Sequence, residues 1–266
     1  MAVRSAIINV MTGAARKAAR NLVRDFGEVE NLQVSKKGPA DYVSAADRRA
    51  EEILHRELAN ARPDFGFLME ERGAIAGDGH NRWIVDPLDG TTNFLHGIPH
   101  FCISIAHEKD GEILSGVIYE PLRDELFSAE RGAGAHVNDN RLRVSARERL
   151  SDSLVATGIP HLGRPAPEEF LAQLSLAMDR VAGVRRFGSA ALDMAYVAAG
   201  RYEAFWETGL SPWDVAAGVV IVREAGGLVS TIDGATNVVG AETILAANGG
   251  VHSAFGDVLR SAKIGA

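Results

Sequence analysis

The chain has one cysteine, Cys102, so no disulfide can form within it and a sulfur-bridged scaffold is excluded. By the compartment rule for thiols, this predicts a cytoplasmic protein. No run of Lys and Arg exceeds three residues, and acidic residues outnumber basic ones by 35 to 28, a formal charge of −7. A surface built to neutralise a nucleic-acid backbone is therefore not expected. The stretch from Met1 through Arg4 to Arg24 mixes basic residues with alanine and lacks the unbroken apolar core of a signal peptide. The longest apolar run, residues 215–222, stops at Arg223, far short of the roughly 20 residues a bilayer crossing needs. Neither a membrane nor a nucleic acid is an expected direct partner. Internal repeats and low-complexity segments are absent. The histidines form no His-x-x-x-His pair beside a glutamate, the arrangement a zinc protease uses.

Apolar side chains and glycine are plentiful. At 46% of 266 residues, roughly 120 apolar side chains suffice for one large domain or two small ones. The 28 glycines exceed the usual share of about 7% and point to tight turns. Hydrophobic periodicity predicts an amphipathic helix over residues 3–26 and a second over about 44–60, with 35–40 (SKKGPA) as a loop between them. Strand patterns follow at 83–85 and 102–107, and at 114–119 with 126–129 as a hairpin. Helical spacing returns at 168–181 and 190–199. It returns again at 213–224, expected as the last helix and closed by Gly226-Gly227. Interleaved helices and strands favour an α/β, layered α+β architecture. The charged stretch 145–152 suggests a division into subdomains 1–147 and 148–266 that work as one functional unit.

The segment 83–93, WIVDPLDGTTN, carries the most chemical information. An apolar strand delivers Asp86 at its end, Pro87 fixes a φ angle, and Gly90 permits a reversal, so Asp86 and Asp89 project into one space. Two carboxylates held together call for a cation, although Asp-x-x-Asp is also how an ordinary turn is written. Gly90-Thr91-Thr92 offers backbone amides at a helix start, a natural anion site. Cation and anion sites side by side suggest phosphate chemistry. Glu70-Glu71 ends an apolar stretch; adjacent glutamates in a strand point to opposite faces, so one of them at most joins a given site. Asp214 after Trp213 opens an apolar helix, where an aspartate also serves as a cap. Ser44 and Asp47 fit a capping box with Asp in place of Glu.

Four motifs, Asp-x-Val-Ser-x-x-Asp at 41–47, Glu-Glu at 70–71, WIVDPLDGTTNF at 83–94 and WDVAAG at 213–218, together resemble the inositol monophosphatase family, in particular its bacterial SuhB type. They occur in the family's order and spacing. The likeness extends through FCISIA at 101–106, GSAALD at 188–193 and REAGG at 223–227, covering nearly the whole chain. The resemblance implies an alternating αβαβα sandwich of the sugar-phosphatase type. It also implies two Mg²⁺ ions, with a third, weaker position as an option. Glu70, Asp86 and the Leu88 carbonyl would hold the first ion, and Asp86, Asp89 and Asp214 the second. An all-oxygen set of this kind suits a hard cation. A metal-held water, activated by Glu70 and by Thr91 coupled to Asp47, would attack phosphorus in line while the second ion steadies the leaving alkoxide. Gly90 and Thr91 would bind phosphate oxygens. Asp89, Gly188, Ser189, Ala190 and Glu207 would meet the sugar hydroxyls.

The resemblance further implies hydrolysis of myo-inositol monophosphate, sensitivity to lithium, and a homodimer. Related families act on histidinol phosphate, fructose 1,6-bisphosphate or 3′-phosphoadenylate, and SuhB-type proteins are associated with RNA polymerase and ribosomal RNA transcription. Three features depart from the family pattern. Met69 and Arg72 flank the glutamates where smaller residues are common, and Ser211-Pro212 stands where some members carry His and Cys. The glycine-bounded stretch 73–79 reads as a loop on the lid side of the cleft or a plain solvent-exposed one.

Overall fold

A computed structural model describes residues 5–28, 34–38, 41–160 and 167–262, with backbone alone over 34–38 and 41–44. In chain order the elements are α1 (Ala6–Phe26), β1 (Val34–Gly38), β2 (Asp41–Ser44), α2 (Ala45–Ala61), β3 (Gly66–Met69), β4 (Gly73–Ile75), β5 (Asn81–Asp89), α3 (Thr91–Leu95), β6 (Cys102–Lys109), β7 (Glu112–Glu120), β8 (Glu125–Glu130), β9 (Gly134–Val137) and β10 (Asn140–Arg141). They continue with β11 (Leu154–Thr157), α4 (Pro167–Met178), β12 (Gly183–Arg185), α5 (Ala190–Ala198), β13 (Ala204–Thr208), α6 (Pro212–Glu224), β14 (Leu228–Ser230), β15 (Thr243–Ala247) and α7 (His252–Arg260).

Besides the β1–β2 hairpin there are two sheets. The first has eight strands in the order β10-β9-β8-β7-β6-β5-β3-β4; the second has five, β12-β11-β13-β15-β14. Strand alternation divides their side chains between layers. Trp83, Val85, Ile103, Ile105 and Val117 pack with α1 and α2 on one face of the first sheet. Ile84, Ala106 and Ile118 turn to the other face, where α5 and α6 lie between the sheets. Phe205 of β13 meets the same helical layer, whereas Ala204 and Trp206 join Phe170 of α4 and Phe255 of α7 on the far side. The result is helix, sheet, helix, sheet, helix, as the resemblance implied. The helices at the two ends bury one apolar stripe each, and α5, buried at all nine positions, reads apolar all round because it is covered on both sides. No helix among the described residues is long and apolar enough to cross a bilayer.

Several expectations need correction. The predicted loop 35–40 is strand over its described part, because Val34–Gly38 pairs with Asp41–Ser44 and the backbone finds its partners there despite the Lys-Lys-Gly-Pro composition; Pro39 and Ala40 lie outside the described residues. The glycine-bounded stretch begins with β4, which pairs antiparallel with β3, so its first three residues form an edge strand. The helix over 168–181 stops at Met178. Pro212–Glu224 is not the last helix: α7 follows, nine residues long, burying Phe255 and Leu259 one turn apart.

Candidate active site

The strand β5 does not end at Asp86 but continues to Asp89, with an irregularity between the two. Asp86 lies opposite Ser104 and Asp89 opposite Cys102, so three steps on one strand match two on its neighbour. That extra residue is a β-bulge. Residues three apart in a regular strand face opposite ways; here the bulge returns Asp89 to the face of Asp86, toward α5 and α6. Pro87 has no N–H to give to a ladder, which suits the interrupted position. Leu88 is correspondingly displaced to the α1–α2 side, where it is 1% exposed.

Each carboxylate is held by a neighbour in the chain or across it. Asp86 is 2% exposed, and its Oδ1 accepts the Leu88 amide at 2.9 Å. Asp89 Oδ2 accepts Ser189 Oγ at 2.6 Å and the Ala191 amide at 2.8 Å, both from the start of α5. Asp214 sits in the first turn of α6, where Oδ2 accepts the Ser211 amide at 2.7 Å and closes a capping box. Ser211-Pro212 thus builds the helix start that carries a proposed ligand. The starts of both sandwiched helices converge on the bulged strand, where their dipoles favour negative charge.

Glu70 lies just past β3, in the turn that joins it to β4, so the picture of two glutamates alternating along a strand is corrected. The turn is tied down on two sides. The Glu70 amide donates to the Val85 carbonyl at 3.3 Å, and the Glu71 amide donates to Glu51 Oε2 at 2.8 Å. Arg72 pairs with Glu51 and Glu52, so this departure from the family pattern is an anchor of the loop to α2. Asp47 accepts Thr91 Oγ1 at 3.1 Å, and the Leu88 carbonyl stands 3.0 Å from the same hydroxyl. Thr91 has one proton for two acceptors. The Ser44 half of the predicted capping box falls on a side chain outside the described residues.

Burial raises the Asp86 carboxyl well above the usual range, and the charges of Glu70, Asp89 and Asp214 add to the shift. Asp214 is raised well above for the same first reason, with Asp89 next. Asp89 is raised by burial although Ser189 and two amides oppose the shift. No Lys or Arg is among the main influences on these three groups. As placed, no three acidic, thiol or imidazole groups among the described residues stand close enough together to hold an ion. The chemistry of the donor set nevertheless fits a hard dication: buried, all oxygen, and mutually repelling until positive charge is supplied.

Of the residues the resemblance assigns to the substrate, Gly188 has φ 86° and Gly90 φ 95°, the left-handed region open to glycine. Asn93, to which the sequence analysis gave no role, donates Nδ2 to the carbonyls of His100 and Phe187 at 2.9 and 2.7 Å, tying the segment after Gly90 to the one before Gly188. Glu51 was missed as well. The signal for both would have been a polar side chain at a buried position, which one sequence does not reveal. Glu207 projects from β13 over Gly158: a Cβ there would lie 2.0 Å from the Glu207 carboxyl carbon. The Gly158→Ala variant should therefore displace this carboxylate at little cost in stability. Its KM for a sugar phosphate is expected to rise about tenfold, measured by phosphate release, with the melting temperature within 2–3 °C of wild type.

The inositol monophosphatase family model matches residues 4–262. The chain belongs to the inositol monophosphatase family. Membership places it among the phosphoric monoester hydrolases. It is 61% identical over 246 residues to an inositol-1-monophosphatase of Mesorhizobium japonicum, covering 92% of each chain. It is 45% identical over 228 residues to the Nus factor SuhB of Xylella fastidiosa, covering 86% of this chain and 82% of that one. The crystal structure of the extragenic suppressor protein suhB from Bartonella henselae superposes with a TM-score of 0.95 at 57% identity, covering 97% of this chain and 100% of that one. The layered arrangement described above is thus the fold of this family.

Proposed function

We propose that the protein is a Mg²⁺-dependent phosphatase that hydrolyses myo-inositol monophosphate to myo-inositol and phosphate by in-line attack of water. The observation that carries this reading is the bulge in β5, which turns Asp86 and Asp89 to one face and toward Asp214. Glu70, Asp86 and the Leu88 carbonyl would hold one ion, and Asp86, Asp89 and Asp214 another. Bound there, the ions supply the positive charge that draws in a phosphate, acidifies water and stabilises a leaving oxygen.

The chain's own groups do the positioning. Asp47 accepts the Thr91 proton, which leaves the Thr91 oxygen lone pairs to orient an incoming water. Glu70 takes a proton from that water. The first amides of α3, at Gly90 and Thr91, have no partner within the helix and are available to phosphate oxygens. Asp89, Gly188, Ser189, Ala190 and Glu207 accept or donate to the ring hydroxyls.

A phosphate-release assay with Mg²⁺ tests this, comparing myo-inositol 1-phosphate, histidinol phosphate and fructose 1,6-bisphosphate, each with and without Li⁺. Inositol phosphate is expected to give the highest kcat/KM and to lose most of its rate to Li⁺. Preference for either other ester by tenfold or more would reassign the substrate. A second reading, association with RNA polymerase, is supported by the relatives that carry the Nus factor name. Retention of purified polymerase by an immobilised Asp86→Asn variant tests it; no retention above a blank column removes it. By the same family resemblance the molecule is a homodimer, which sedimentation of the pure protein would measure, and its single cysteine fits work in the cytoplasm.

A further inference from the structure

The second half of α6 borders a cleft that none of the roles above uses. Asp214 stands in the first turn of this helix, and the cleft lies about 8–15 Å further along its axis, against Val219, Val220 and Arg223. Its volume is about 380 Å³, within the range of small-molecule sites. Val219 and Val220 with Val238 and Val239 give it an apolar floor, and the exposed Arg131 and Arg223 stand at its rim. Consecutive residues at the end of α6 fix both walls. Glu224 accepts the amides of Gly132 and Gly134 at 2.9 and 2.8 Å, which ties down the β8–β9 turn that carries Arg131. Arg223 donates Nη2 to the carbonyls of Thr236 and Val229 at 2.7 and 3.4 Å, which ties down the segment after β14. The carbonyls of Ile221, Val222 and Arg223 are covered by the amides of Ala225, Gly227 and Gly226, so the negative end of the helix is not bare.

The charge at the rim is not neutralised. Arg223 makes no ion pair among the described residues, and its Nε and Nη1 have no partner there, since Glu224 is occupied by backbone amides. Arg131 pairs with Glu112, but the two side chains are 61% and 63% exposed, and a pair so open to water is weak and easily exchanged. Burial and then the charge of Arg131 push the Arg223 guanidinium below its usual range, so the two cations are near enough to repel.

We propose that this cleft is a second anion site, separate from the catalytic one, that takes the phosphate of a small molecule between Arg131 and Arg223. A dianion matches two guanidinium forks, each able to give paired N–H groups to two oxygens. The phosphate is either free, the ion that a phosphoric monoester hydrolase releases, or the end of an organic molecule whose apolar body lies on the valines. The inference stands whichever ester the active site hydrolyses.

Isothermal titration of the whole chain in EDTA tests it, with inorganic phosphate and phenylphosphonate as probes. Without metal, the crowded carboxylates of the proposed catalytic site repel an anion, which leaves the cleft. One site is expected, with a Kd on the order of 1 mM that rises about tenfold in Arg223→Gln and in Arg131→Gln. Phenylphosphonate bound roughly threefold tighter than phosphate, or better, identifies an organic ligand resting on the valines; no such preference identifies the free ion. No binding up to about 20 mM, or binding that either variant leaves unchanged, overturns the proposal. Should Arg223→Gln not fold, because it also releases the segment at Thr236, the exposed Arg131→Gln decides alone.

Discussion

Asp86→Asn is expected to lower turnover by 10²-fold or more while raising the melting temperature of the metal-free protein. The loss of activity follows from the position of Asp86 in both proposed ligand sets: an amide has no negative charge to share between two cations, and one misplaced electrostatic group in a catalytic site costs about 10²–10³. The gain in stability follows from the sign of the pKa shift. A carboxyl raised in the fold holds its proton after the unfolded chain has released its own, so stability falls as pH rises from near 4 through the folded value. At neutral pH the metal-free wild type is on the unfavourable side of that change. Asn never ionises and escapes it. Scanning calorimetry in EDTA across pH 5–8 measures the difference. Added Mg²⁺ should reverse the order, stabilising wild type by about 2.7 kcal/mol at a hundred times Kd and the variant much less. A variant with full activity would refute the site; one that melts below wild type without metal would refute the electrostatic account.

Gly116→Val should damage both stability and catalysis from a position in the middle of β7. A Cβ at Gly116 would stand 2.7 Å from the Ala217 carbonyl oxygen and 2.9 Å from its Cα, which are backbone atoms of α6. No side chain can swing away to admit it, so the helix itself must retreat from the sheet. Overpacking of this kind costs about 1–3 kcal/mol, and a rigid obstacle puts this case at the upper end. The melting temperature is expected to fall by roughly 5–10 °C. Because α6 begins with the turn that carries Asp214, a shift of about 1 Å should also cost on the order of 10² in kcat. A different close approach of α6, Gly218 against the Met194 side chain of α5, is softer and should tolerate Ala better. Wild-type melting and turnover for Gly116→Val would show that α6 is not seated as described.

Much of this was legible from residue patterns, for reasons that vary with the element. The helices α1 and α2 show one buried stripe each, so a period of 3.6 reveals them. Most of β6, β7 and β8 is buried on both faces, as a sheet with helices on each side requires, so they read as short, nearly continuous apolar runs. Ser35-Lys36-Lys37-Gly38 could not be read as strand, because its composition is that of a turn and no apolar alternation marks its pairing with the neighbouring β2. The motifs single out Asp86 and Asp89 together, but not how the two come to share a face, since that depends on the register against Ser104 and Cys102 on another strand. Glu51 and Asn93 escaped notice because nothing local marks a polar side chain as buried; their partners lie 20 and 94 positions away.

The irregularity in β5 makes the site a matter of counting. Loops such as those at Asp110-Gly111 and Asp124, on the chain's outer turns, can gain or lose a residue and leave the ladder aligned. Between Asp86 and Asp89 the chain has no such freedom. Removing Pro87 would preserve every proposed ligand and every other strand pairing, yet send one carboxylate into the apolar layer beneath α1 and α2. Point substitution can therefore explore this segment more freely than any change of length, and related chains of different length should differ elsewhere while keeping two residues between these aspartates.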